Sequence, residues 1–236
     1  MAAPRHIAEY SSGNTVSEAD GRLRSPSFER NFTPLRDALR PYLEGRAGTV
    51  LEIGSGTGQH IAHWAGEFPG LHWVPSDIHP AHHTSIAAWG SALGSENLSE
   101  PLFIDASMGW AEQAHVQALG ALTAVISCNV IHIAPWAVAI GLVQGVARVL
   151  EPGGTLILYG PFSEGGRHTG TGNASFDASL RAENLDWGVR DLDEVAALAE
   201  AAGLGPTRIT RMPSNNLLIA FPQAQSPAGS GCPVRD

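Results

Sequence analysis

The sequence predicts an α/β protein with a mostly parallel sheet, helices on both faces and an antiparallel last strand. Three observations predict it. Strand-like and helix-like segments alternate between residues 49 and 160. The last two strand-like runs, 207–212 and 216–221, are joined by only Pro213, Ser214 and Asn215. That link is too short for a parallel crossover and suits a hairpin. The length of 236 residues and the 43% hydrophobic content suit one well-filled domain.

Taken in order, residues 1–24 are polar and without period, and read as a flexible arm. Phe32, Leu35, Leu39 and Leu43 recur at helical spacing. They predict a helix over about 27–43, with interruptions at Pro34 and Pro41. The alternation then runs TVLEIG (49–54), a helix from about 58, WVPSD (73–77), a helix over about 80–93 and LFID (102–105). It continues with a weaker helix over 111–119, AVISCN (124–129), a helix over 136–149 and GTLILYG (154–160). A Gly- and polar-rich stretch, 161–187, interrupts it and reads as a functional loop. A helix over 191–202 follows, with Asp191 as N-cap and Gly203 as its stop. Residues 223–236 are Ser/Gly/Pro-rich and read as a flexible tail, leaving 25–222 as a single domain.

Composition excludes several chemistries. All fourteen basic residues are Arg, so no Schiff-base lysine and no Walker-type phosphate loop is available. A net charge of -9 disfavours nonspecific nucleic-acid binding. Cys128 and Cys232 form no disulfide framework, which points to a reduced compartment. No signal peptide and no run of about 18 apolar residues is present, so a cytoplasmic protein without a membrane span is expected.

The chemistry is carried by Glu52-Ile53-Gly54-Ser55-Gly56-Thr57-Gly58-Gln59-His60. A strand that runs through glycines into a helix brings a ligand against bare backbone and helix N–H groups. A dinucleotide loop would place a small residue where Gln59 stands. The next strand ends in Asp77, an acid suited to a ribose diol or, alternatively, to capping the helix beside Pro80. The third ends in Asp105, a second acid at the same sheet edge or a turn residue.

With these features the sequence resembles the class I S-adenosylmethionine-dependent methyltransferases over about 45–222. The resemblance implies a Rossmann-like, seven-stranded sheet with an antiparallel last strand and an N-terminal helical extension. It also implies a cofactor loop of Glu52, Gly54, Ser55, Gly56 and Gly58. Asp77 would bind the ribose, Asp105 and Ala106 would lie by the adenine, and Asn129 would flank the methionine moiety. SPSFERN (25–31), GSGTGQH, NVIHIAPW (129–136), LYGPF, FDASLR and MPSNN further resemble a methyltransferase-like family often described only as a domain of unknown function.

Methyl transfer needs an aligned, desolvated nucleophile and in some enzymes a base. His132 is a candidate base; the competing reading is a buried, hydrogen-bonded histidine that positions its loop. Tyr159 either orients a substrate or is a sheet-edge aromatic. Arg30, with Asn31 beside it, either holds the cofactor carboxylate bidentately or forms a surface salt bridge. Trp136 walls the methyl site or caps the core. Arg167, His168 and Asn173 line a substrate lid or belong to a solvated loop. His79, His82 and His83 lack a further ligand, so no metal is expected.

The expected function is methylation of a small molecule at O, S or N with S-adenosylmethionine. No Asn/Asp-Pro-Pro-aromatic pattern follows Asn129, which disfavours nucleic acid as substrate. A cofactor-binding sensor without chemistry and a nicotinamide-dependent reductase are the alternatives.

Overall fold

The computed structural model describes residues 15–224. Its main sheet has the spatial order β4-β3-β5-β6-β10-β9. These strands are β3 (Gly48–Ile53), β4 (Leu71–Ser76), β5 (Leu122–Cys128), β6 (Leu150–Glu164), β9 (Arg208–Arg211) and β10 (Asn216–Pro222). β3 to β6 pair in parallel, and β10 runs antiparallel to both β6 and β9. The chain order reverses at β3, and ligands bind beyond the strand ends at such a point. A seventh rank lies outside β4 as two parallel bridges, Trp73 to Leu98 and Ser76 to Leu102. The segment 102–105, expected as a strand, joins the sheet only through the second of these.

β5 is buried almost throughout, as expected of a central parallel strand covered on both faces. One face carries α5 (Trp136–Val149), whose Ala139, Leu142, Val143, Val146 and Val149 form an apolar stripe. α7 (Leu192–Ala201) joins this core and is capped by Asp191, which accepts from the Asp193 N–H. The other face carries α1 (Pro26–Leu43) and α2 (Gln59–Glu67). α1 runs unbroken through Pro34 and Pro41. Each proline removes one helix hydrogen bond. Burial of Leu35, Leu39 and Leu43 offsets this by about 1.5–3 kcal/mol per side chain.

Residues 15–24, placed in the flexible arm by sequence, are folded onto α3 (Pro80–Leu93). They form a small hairpin of β1 (Val16–Ser17) and β2 (Leu23–Arg24). The Leu23 N–H donates to Ser85 Oγ (2.8 Å), and Trp89 Nε1 donates to the Leu23 carbonyl (2.9 Å). The arm before residue 15, the tail after 224 and Cys232 lie outside the described residues.

The stretch 161–187 is not a plain loop. β6 overruns the sheet and pairs with β7 (Arg167–His168) and β8 (Arg190–Asp191), and α6 (Thr171–Glu183) stands between them. The weaker helix over 111–119 contracts to a 3-10 turn, Trp110–Glu112, and one turn of α4 (Ala114–Gln117). No helix among the described residues is long and apolar enough to cross a membrane.

Candidate active site

A cavity of about 860 Å³ lies along the C-terminal ends of β4, β3, β5 and β6, roofed by α1, α6 and the β9–β10 turn. Its floor is the glycine loop. Gly56 (φ +55) has open space where a Cβ would stand, so bare backbone faces the cavity. A Cβ on Gly58 (φ +78) would lie 2.6 Å from Ile86 Cα, so this glycine lets α2 and α3 meet. The loop is pinned from β4: the N–H groups of Gly54 and Ser55 both donate to the Ser76 carbonyl (3.0 and 2.8 Å).

Asp77 braces the same loop. Its Oδ2 accepts from the Gly56 N–H and its Oδ1 from the His79 N–H, both at 2.8 Å. His82 Nδ1 lies 3.0 Å from Oδ1 as well. A carboxylate has about four acceptor positions, which leaves room on Oδ2 for a diol hydroxyl. His79, not Asp77, is the N-cap of α3. Asp105 Oδ1 accepts from the Ser107 N–H and hydroxyl (3.0 and 2.6 Å), a turn, and both Asp105 and Ala106 line the cavity.

Glu52 is only 2% exposed, lines the cavity and has one carboxyl oxygen, Oε2, without a partner. Burial pushes its carboxyl up to about 8, against the opposing effect of the Ser55 hydroxyl, with the charge of Asp77 adding to the rise. Such a group is neutral in the free site at pH 7 and is suited to meeting a cation.

Asn129 leaves β5 in the left-handed region (φ 59), with its N–H donating to the Tyr159 carbonyl at 2.8 Å. A non-glycine residue in that conformation is strained, and Asn tolerates it best. The Tyr159 hydroxyl accepts from Asn216 Nδ2 (2.9 Å), and burial pushes its phenol up to about 12. Asn173 is buried on α6, with Nδ2 donating to Thr169 Oγ1 (3.0 Å) and the Asn215 carbonyl (3.1 Å). Arg30 and Asn31 line the cavity from α1, and Arg30 has no ion-pair partner among the described residues.

Five residues singled out by sequence are not among those lining this cavity. The first is Gly58, expected in the cofactor loop, which is turned instead against Ile86 of α3. His132 is 1% exposed beneath the loop after β5, edge-on to Phe162 at 6.0 Å, with neither ring nitrogen paired. Burial holds its imidazole down to about 3. Its backbone carbonyl accepts from the Gly188 N–H, so the residue is buried as the loop-positioning reading expects, but its ring lacks the hydrogen bond that reading gave it. Trp136 packs at the start of α5 under the Arg190 guanidinium, 5.6 Å from the ring centre. Arg167 is exposed on β7. His168 lines a separate hollow of about 470 Å³ and lies 3.5 Å from Asp177.

The sequence reading overlooked His60, Phe176, Ser214 and Asn216, which all line the cavity. The GSGTGQH, FDASLR and MPSNN signatures hold all four and are the available signal. Among the described residues no three His, Cys, Asp or Glu are grouped to hold a metal. His79 Nδ1 accepts from the Ala81 N–H, and His83 Nε2 donates to the Asp77 carbonyl.

The family model described as "Protein of unknown function (DUF938)" matches residues 22–223. Solved structures are similar in fold. An O-methyltransferase family protein from Burkholderia thailandensis superposes with TM-score 0.69 at 17% identity, over 82% of this chain and 56% of its own. PigF with SAH gives 0.67 at 15%, over 82% and 56%. Human N-acetylserotonin methyltransferase in complex with SAM gives 0.62 at 14%, over 81% and 54%. The chain thus spans little more than half the length of these three proteins.

Proposed function

The chain belongs to the DUF938 family, and we propose that it is an S-adenosylmethionine-dependent methyltransferase acting on a small molecule. The observation that carries this is the buried Glu52 carboxyl, whose Oε2 has no partner, beside a glycine loop whose Gly56 backbone opens to the cavity. An orphaned acid of this kind fits a ligand ammonium. In this reading Glu52 meets the amino group of the cofactor's methionine part, and Arg30 with Asn31 meets its carboxylate. The free acceptor position on Asp77 Oδ2 takes a ribose hydroxyl. Asp105 and Ala106 border the adenine, while Ser55 and Asn129 shape the methionine end. The bound cofactor supplies an electrophilic sulfonium methyl; the chain's own residues orient the acceptor and exclude water. A cavity of about 860 Å³ suits a ligand of that size with room for an acceptor.

Calorimetry is the direct test. S-adenosylmethionine and its demethylated product should bind, and NADH should not. NADH binding with no response to the other two refutes the proposal. The nicotinamide reading is also opposed by Gln59, whose buried side chain fills the place of a third glycine and accepts from the Ser25 N–H at 3.1 Å. A sensor or partner module without chemistry is the second reading. The position of His132 outside the cavity favours it, because the first candidate base cannot reach a substrate there. Formation of any methylated product separates the two. A reduced, cytoplasmic setting belongs to the proposal and rests on the count of two cysteines, too few for a disulfide framework.

A further inference from the structure

The cavity changes character across the sheet. Its carboxylates cluster toward β3, β4 and the bridged segment beyond β4, at Glu52, Asp77 and Asp105. Toward β6 and β10 the polar lining is uncharged: Tyr159, Asn173, Ser214 and Asn216. Ile133, Pro161 and Phe176 supply apolar wall there. One hydrogen-bonded chain ties this half together: Asn173 donates to the Asn215 carbonyl, and the next residue, Asn216, donates to the Tyr159 hydroxyl. Since the Tyr159 oxygen is accepting from Asn216, its own proton is available to a ligand. Asn173 spends its Nδ2 on two protein acceptors, which leaves its carbonyl oxygen as an acceptor.

Resting on the proposed function, we infer that the methyl acceptor is a small uncharged thiol with an apolar body, held between Tyr159 and Asn173. The ionisable groups that line the cavity from the elements around this half are Arg30 from α1, Glu52 from β3, His60 from α2, Cys128 from β5 and Tyr159 from β6. α6 and the β9–β10 turn bring no ionisable side chain to it among the described residues. Arg30 and Glu52 are committed to the cofactor's own carboxylate and ammonium. Burial raises Cys128 and Tyr159, so both remain protonated and neither serves as a base. His60 is held down to about 4 by burial and by His63, too weak a base for an alcohol. A carboxylate acceptor would find no free cation, and an ammonium no free carboxylate. A phenol, with a pKa of about 10, is only about one part in a thousand ionised at pH 7. A thiol is a few per cent thiolate at pH 7 without help.

The step then balances without a protein base. The thiol proton leaves to solvent water. A thiolate lone pair forms the new carbon–sulfur bond while the methyl–sulfonium bond breaks, and that electron pair stays on the cofactor's sulfur. The products are a neutral thioether and the neutral demethylated cofactor.

The test uses the full chain with S-adenosylmethionine and four probes of one size: benzyl mercaptan, p-cresol, benzylamine and benzoate. Mass spectrometry should show the thioether forming faster than methylated cresol by at least the ratio of the two probes' own ionised fractions at the assay pH. Replacing benzyl mercaptan by the more acidic thiophenol should lower the midpoint of the pH–rate profile by the difference between the two thiols' own pKa values. A protein base would leave that midpoint fixed. Independently of turnover, benzyl methyl sulfide should bind the chain loaded with demethylated cofactor, as seen by ligand-observed NMR. Tyr159→Phe removes one of the two holding groups, so it should both slow the thiol and weaken that binding. Preference for cresol, amine or benzoate, a fixed midpoint, or no methylation of either thiol by a chain that binds the cofactor overturns the inference. Failure to bind the cofactor at all instead refutes the proposed function.

Discussion

Glu52→Gln probes the site most directly. In the folded chain the carboxyl titrates at about 8, against 4.5 in the absence of burial. The unfolded chain releases this proton first, so the stability it contributes is fully present below pH 4.5. That stability is lost as pH rises toward about 8, by about 1.4 kcal/mol per pH unit. By pH 7 the loss is roughly 3 kcal/mol, and the Gln variant is free of it. Urea unfolding of both proteins at pH 5, 6, 7 and 8 should therefore show the parent falling relative to the variant. Cofactor binding should reverse the preference. An ammonium draws Glu52 into its ionised form, so binding at pH 7 should release close to one proton in the parent and none through this group in the variant. Calorimetry in two buffers of different ionisation enthalpy measures this. The variant should bind S-adenosylmethionine about 30-fold more weakly or worse, taking about 2 kcal/mol for a lost buried charge pair. Equal proton release by the two proteins, or parallel stability profiles, would show that Glu52 does not face the cofactor's ammonium.

Three further expectations concern neighbouring parts. Gly56→Ala should cost about 1 kcal/mol of stability for its left-handed backbone and lose cofactor affinity. Gly58→Ala should cost about 3 kcal/mol or more, because Ile86 backbone stands in the way; thermal melts and titrations of both variants separate the roles. His132→Ala should lose roughly 2–3 kcal/mol of stability from the space it leaves while keeping its cofactor affinity. Loss of affinity without loss of stability would restore His132 to the site. Gln59→Ala should cost about 1 kcal/mol and speed amide exchange at Ser25, whose N–H loses its acceptor.

The sequence made the sheet and its ligand-facing loop legible for a physical reason. β5 must be apolar on both faces, and positive φ at Gly54, Gly56 and Gly58 requires glycine in practice. The other parts lack such marks. α6 buries only Asn173 and Leu180, so no apolar stripe announces it. Two-residue strands such as β1 and β2 are too short to show a period. His132 lies close to a strand end in sequence, but Asn129 turns the chain left-handed, and the side chain ends beneath the loop rather than above it. Asn216 enters from a strand 57 residues after Tyr159, a contact that only tertiary pairing creates.

The overrun of β6 beyond the sheet has an evolutionary meaning. Phe162 and Ser163, where the segment leaves the sheet, pair in parallel with Arg190 and Asp191, where it ends. A segment whose entry and exit are hydrogen-bonded neighbours is a cassette. It can be lengthened, replaced or exchanged between relatives without moving the strands that carry Gly56 and Asp77.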